Sequence, residues 1–179
     1  GPTGLYSSPS GSGIAWERPA SLELINPDGS KGFQIDFGLR LRGGFSRSTD
    51  NPKHGLRVLL RSEYGSSTLD YPLFQSMNGT GETRGFDLRT FENYSWSFDP
   101  SGNGTNPAGS RFVGLRDQWS RDTQYDMGWN AERGDMYQLY IDGQYWGIYN
   151  TDERPEADYA SSYFGGDTSD YDVIKVDPQ

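Results

Sequence analysis

The chain has 179 residues, enough for one domain or a piece of a larger one, and Leu, Ile, Val and Phe make up only about 18% of it. Its formal charge is -9 and its isoelectric point is near 4.5, so bulk attraction to nucleic acid or to an anionic membrane is not expected. Cysteine is absent and His54 is the single histidine, which excludes disulfides, thiolate chemistry and multi-histidine metal sites, and no apolar run is long enough to span a bilayer. With aromatics at 15% the chain can still build a core, and 24 Gly with 10 Pro argue for a loop-rich, aromatic-cored α+β or β domain rather than a bundle.

The opening Gly1-Pro2 reads as the remnant a protease leaves after tag removal, and residues 1–15 read as a flexible Gly/Ser-rich arm or loop. Alternation over 21–25, an Asn26-Pro27-Asp28-Gly29 turn, and alternation over 33–42 predict a β-hairpin whose polar face carries Asp36, Arg40 and Arg42. Gly43-Gly44 breaks that strand, Leu56 to Arg61 predicts a third, Leu69 to Phe74 a short edge segment, and Gly85 to Phe91 another strand. Residues 92–110 are a long Asn/Ser/Gly/Pro loop holding Tyr94, Trp96 and Phe98. Phe112, Leu115, Trp119 and Thr123 recur at helical spacing, predicting a helix over 111–127 ended by Gly128. Asp142-Gly143 between alternating aromatics predicts a hairpin over 136–149. A short helix over 153–164, ended by Gly165-Gly166, and a closing strand from Tyr171 to Val176 complete the chain.

Three constellations carry chemistry. Arg42, Gly43, Gly44, Arg47 and Lys53 gather glycines and cations near one turn, as an anion site does; the alternative is a bulge whose arginines pair with Asp36, Asp50 or Glu63. Asp99, Ser101 and Asn103 have the spacing of the front half of a calcium loop, but Ser110 stands where the bidentate Glu belongs. Tyr94, Trp96 and Phe98 offer rings on which a polysaccharide could stack. The acidic composition with little Lys leans towards a secreted or cell-surface protein.

Taken in order, Gly38-Leu39-Arg40-Leu41-Arg42-Gly43 with Ser46-Arg47, Pro52-Lys53-His54-Gly55-Leu56-Arg57, Leu69-Asp70-Tyr71-Pro72-Leu73-Phe74, Leu115-Arg116-Asp117, the run from Leu139 to Tyr149, and Thr151-Asp152-Glu153 resemble the CotH family of spore-coat-type, kinase-like proteins. The resemblance covers roughly residues 16 to 177 and is greatest to the extracellular bacterial members, which sit among other modules. It implies an atypical kinase that moves phosphate from ATP, with magnesium, to Ser or Thr of a partner protein. The fold it implies is α+β: a kinase-like small lobe over 16–152, mostly antiparallel twisted sheet with one main helix and long loops, then a hinge and the start of a second lobe over 153–179. Arg42, Gly43, Gly44, Arg47, Lys53 and Arg57 would face nucleotide phosphates, and Glu153 would stand at the hinge. The family's metal-binding aspartates come after the hinge, so the chain alone is expected to be inactive in phosphotransfer. The reading from a different class is an extracellular carbohydrate-binding or structural module that keeps the fold without kinase chemistry.

Overall fold

The computed structural model describes residues 4–49, 51, 53–74, 77–91 and 113–174. In chain order the elements are β1 (Arg18–Glu23), β2 (Gln34–Arg42), β3 (Gly55–Leu59), β4 (Leu69–Asp70), β5 (Glu82–Thr83), β6 (Gly85–Arg89), α1 (Arg116–Asp126), β7 (Gly134–Ile141), β8 (Gln144–Glu153) and α2 (Ala157–Phe164). Six strands form one curled antiparallel sheet in the order β1-β2-β3-β6-β8-β7, and β4 pairs with β5 apart from it. The fold is α+β, as the sequence predicts.

Both hairpins form where the turn chemistry places them. Gly29 takes φ 78° and donates its N–H to the Asn26 carbonyl at 3.0 Å, while the Asp28 carboxylate accepts from Ser30 N–H at 2.9 Å. That turn sets the β1–β2 register at Leu22 opposite Ile35. Asp142 and Gly143 both have positive φ, 50° and 78°, the two-residue turn that matches strand twist, and close Ile141 onto Gln144.

Side-chain alternation splits the sheet into two unlike faces. Ile35, Phe37, Leu41, Leu56, Val58, Phe86, Leu88 and Tyr149 form the core face. The segment from Leu69 to Phe74 covers it, with the Phe74 and Phe86 rings edge to face at 6.4 Å. Each such side chain contributes about 1.5–3 kcal/mol by leaving water. Tyr149 is fully buried, and its hydroxyl donates to the His54 carbonyl at 3.1 Å. The other face carries Arg40, Arg42, Arg57, Asp87, Arg89, Asn150 and Asp152, the residues between the core positions.

Among residues 4–16, Leu5 packs on the core, the Tyr6 ring sits 4.7 Å from that of His54, and the bare Gly11 lets the backbone close on the Trp16 indole. Three expectations need correction. α1 begins at Arg116, and its predicted apolar face looks outward, with Leu115 63% and Trp119 67% exposed. The helix turns Arg121 to the sheet instead, because Asp152 is there to receive it. Glu153 ends β8 rather than starting a helix, since its N–H bonds the Arg133 carbonyl at 2.9 Å, and α2 follows only at Ala157. Residues 171–174 are not a strand: a capping box between Asp167 and Asp170 turns the chain back, and the Tyr171 hydroxyl donates to the Gly165 carbonyl at 2.6 Å.

Candidate functional site

The charged face is organised around two buried aspartates. Asp87 on β6 and Asp152 on β8 are directly opposite each other, so their Cβ atoms lie about 5 Å apart. Two carboxylates at that spacing repel, and each is surrounded by arginine. Asp87 accepts from Arg57 Nε at 2.7 Å and from a second Arg57 nitrogen at 2.9 Å, and Arg42 Nε lies 2.9 Å from it. Asp152 pairs with Arg121 from α1 and with Arg89 Nε at 3.2 Å. Asp117, in the first turn of α1, joins Arg89 at 2.8 Å and also Arg121, so one strand arginine is tied to one helix carboxylate. Asn150 donates to Gln118 Oε1 at 3.2 Å and adds a neutral contact between strand and helix. Further along the face, Glu17 holds Arg40 at 2.5 Å and Arg61 at 2.9 Å.

Burial and charge pull against each other in this cluster. Burial opposes the Arg121 charge, but Asp152 and Asp117 more than offset it, and its pKa is raised. Burial wins for the Asp152 carboxyl, which is raised despite Arg121 and Arg89. Glu132 is likewise pushed up by burial. Arg154 is lowered by burial and then by repulsion from Arg57; one of its terminal nitrogens bonds Glu156 at 2.8 Å, while its buried Nε has no hydrogen-bond partner.

The structure divides the residues singled out from the sequence. Arg42 and Arg57 come together on Asp87, a carboxylate the sequence reading did not name, while Asp50 lies outside the described residues. Lys53 lies on the core side, its Nζ donating to the Ile148 carbonyl at 2.9 Å and sitting 4.3 Å over the Tyr149 ring, and burial lowers its pKa. Arg47 donates to the Gly11 carbonyl at 2.8 Å. Gly43 has φ 108°, and a Cβ there would come within 2.0 Å of Ser46 Oγ, so this glycine serves the turn; Gly44 faces open space. Glu153 accepts from Arg133 N–H at 2.9 Å and from the Tyr163 hydroxyl, and burial raises its pKa. Asp99, Ser101 and Asn103, and Tyr94, Trp96 and Phe98, lie outside the described residues.

Sequence reasoning missed Asp87, Arg89, Arg121, Asp152 and Arg154. A signal was present: Asp87 with Arg89, and Asn150 with Asp152, are polar residues two apart in apolar strands, which places each pair on one face. Beside Arg89, Asp117 and Arg121 opens a cleft of about 480 Å³, also lined by Glu132, Tyr159 and Phe164. A smaller hollow of about 230 Å³ lies between Gly85, Arg154, Glu156 and Tyr163. No group of three or more metal-binding side chains occurs among the described residues, and Asp117 and Asp152 already bond arginine.

A family model described as CotH kinase protein matches residues 39–179, and the chain belongs to that family. No curated protein matches the chain. No helix among the described residues is long and apolar enough to cross a membrane.

Proposed function

We propose that this chain forms the nucleotide-phosphate-binding part of an ATP-dependent Ser/Thr phosphotransferase. The observation that carries the reading is the ion pair between Arg89 on β6 and Asp117 on α1, beside an open cleft. In protein kinases a strand cation paired with a helix carboxylate positions the phosphates of ATP. An arginine in that role presents a planar fork that bonds two phosphate oxygens at once. Arg121 stands beside it, and Arg42 and Arg57 extend the same face. This moves the centre of the proposed site from Lys53, which is held by a backbone carbonyl, to Arg89. ATP bound here would lay its phosphates across Arg89 and Arg121 and leave the acceptor hydroxyl to approach through the cleft. No step is assigned to magnesium.

Titrating ATP against the protein by NMR tests this. Chemical-shift changes are expected around Arg89 and Arg121, and Arg89→Gln is expected to weaken binding roughly ten- to hundredfold, the worth of one charged hydrogen bond. No localised change at several millimolar ATP refutes the reading. A second reading, a secreted carbohydrate-binding module, is supported by the tip of the β7–β8 hairpin. There Tyr140 and Tyr145 are exposed with rings 5.3 Å apart, beside a half-exposed Trp146. Retardation in soluble polysaccharide gels that is lost in Tyr145→Ala would favour it over the first.

A further inference from the structure

α1 meets the sheet through Arg121, Asp117 and Gln118, and its outer side is apolar where a surface helix is normally polar. At roughly 100° per residue, Leu115, Trp119, Thr123 and Met127 follow one another along that side. Arg116 stands near one end of it and Asp126 near the other. Val113 just before the helix and Trp129 just after it are exposed to a similar degree as Leu115 and Trp119.

Trp129 is fixed in place without being covered. Gly128 takes φ 85° and donates its N–H to the Tyr125 carbonyl at 2.8 Å, and Trp129 N–H donates to the Gln124 carbonyl at 3.2 Å. Helices that end on this pair of bonds commonly pack the residue after the glycine on an apolar residue one turn back. Here Gln124 and Thr123 hold those positions, so the helix offers the indole no apolar seat.

The strip is complementary to itself. Turned end for end about the level of position 121, Val113 comes opposite Trp129, Leu115 opposite Met127, Trp119 opposite Thr123, and Arg116 opposite Asp126. Apolar groups then meet apolar groups or the threonine methyl, and each charge meets its opposite. The size agrees as well. Each tryptophan, two-thirds exposed, offers roughly 100–170 Å². With Val113, Leu115 and Met127 the strip presents roughly 400 Å² of apolar surface. The apolar share of one side of a standard-size interface is about 450 Å².

We propose that the outer side of α1 is a homodimer interface, in which two copies of this chain pack their α1 helices antiparallel about a two-fold axis level with position 121. The interface uses neither Arg89 nor Arg121, so the inference stands apart from the nucleotide reading. The charge of -9 on each chain opposes association, but physiological salt screens that repulsion beyond about 8 Å.

Sedimentation equilibrium at about 0.15 M salt, from low micromolar to millimolar protein, provides the test. An interface of this size is expected to give a monomer at low micromolar concentration and a dimer, with nothing larger, as the concentration rises. Trp119→Gln, whose fold is checked by its melting curve at low micromolar concentration, is expected to weaken the dimer about tenfold or more, because the two-fold axis counts the lost ring twice. Arg116→Glu and Asp126→Arg are each expected to weaken it severalfold by setting like charges opposite, and Arg116→Glu/Asp126→Arg together to restore it. Tyr145→Gln, on the β7–β8 hairpin, is expected to dimerise as wild type does. A monomer at every concentration overturns the proposal and leaves the strip to a different partner. So do a dimer unchanged in Trp119→Gln, association that continues past two copies, a double charge variant no tighter than the single ones, and a dimer lost in Tyr145→Gln.

Discussion

Replacing Asp87 with asparagine keeps the shape of the side chain and removes its charge. Asp87 is 5% exposed and receives two bonds from Arg57 and a close contact from Arg42, with both arginine side chains still 21–30% open to water. Removing one member of a buried ion pair costs about 3–5 kcal/mol when the other charge stays dry. Here the arginines can rehydrate in part, so the lower end, about 3 kcal/mol, is the expected loss. For a domain of this size that lowers the melting temperature by about 6–12 °C. Thermal and urea unfolding followed by circular dichroism measure it, with Asp36→Asn as a control, since Asp36 is exposed on the same face of neighbouring β2. The control is expected to stay within about 0.5 kcal/mol of wild type. In the double variant Asp87→Asn/Arg57→Gln the two losses should fall well short of additive, because both remove the same bonds. If Asp87→Asn melts no lower than Asp36→Asn, the buried ion pairs do not hold this face and the reasoning fails.

Glu132→Gln should raise stability at pH 7. Burial raises the folded pKa of Glu132, so its ionised form costs stability above that pKa, and the gain should vanish in melts below about pH 4, where Glu132 is protonated in both states. Trp119→Gln should change stability by no more than about 0.5 kcal/mol in urea unfolding, because the ring is 67% exposed on a helix that meets the sheet through Arg121. Gly147→Ala should cost about 1–3 kcal/mol, since Gly147 holds φ 112° and the new methyl would come 2.6 Å from Lys53 Nζ; the lysine ammonium signal in NMR should move with it.

The strands, both hairpin turns and the family were legible because each depends on neighbours in sequence. Alternation at 33–42 and 85–91 marked two faces, and Asp142-Gly143 fixed a turn that only residues tolerant of positive φ can make. The face of α1 was misread for a physical reason. Leu115 and Trp119 share a helical stripe, and an apolar stripe normally seeks the core. Asp152 outweighs it, because a buried carboxylate without a cation costs more than an exposed tryptophan. Nothing within 116–126 announces this, since the partner lies 31 residues beyond Arg121. The cationic cluster was half-legible for the same reason. Arg42 and Arg57 look like neighbours of Lys53 along the chain, but Lys53 precedes β3 and reaches over the Tyr149 ring, while the carboxylate the arginines meet comes from β6, 30 residues beyond Arg57.

That register bears on what the face is for. Exchanging a buried ion-pair network for well-packed apolar side chains of similar volume is often neutral or stabilising by about 1–4 kcal/mol. The core face shows that these strands can be packed that way, with Val58, Phe86 and Tyr149 almost entirely dry. One residue away on each strand, the opposite face carries Arg57, Asp87 and Asp152 instead. Stability alone favours the apolar solution on both faces. Placing two aspartates opposite each other adds a repulsion that only the surrounding arginines relieve, and it holds those arginines in fixed positions with part of each side chain still open to water. A fixed, partly hydrated array of guanidinium groups is a poor core and a good anion site. The face therefore fits the nucleotide site proposed above, with the opposite face supplying the stability that allows it.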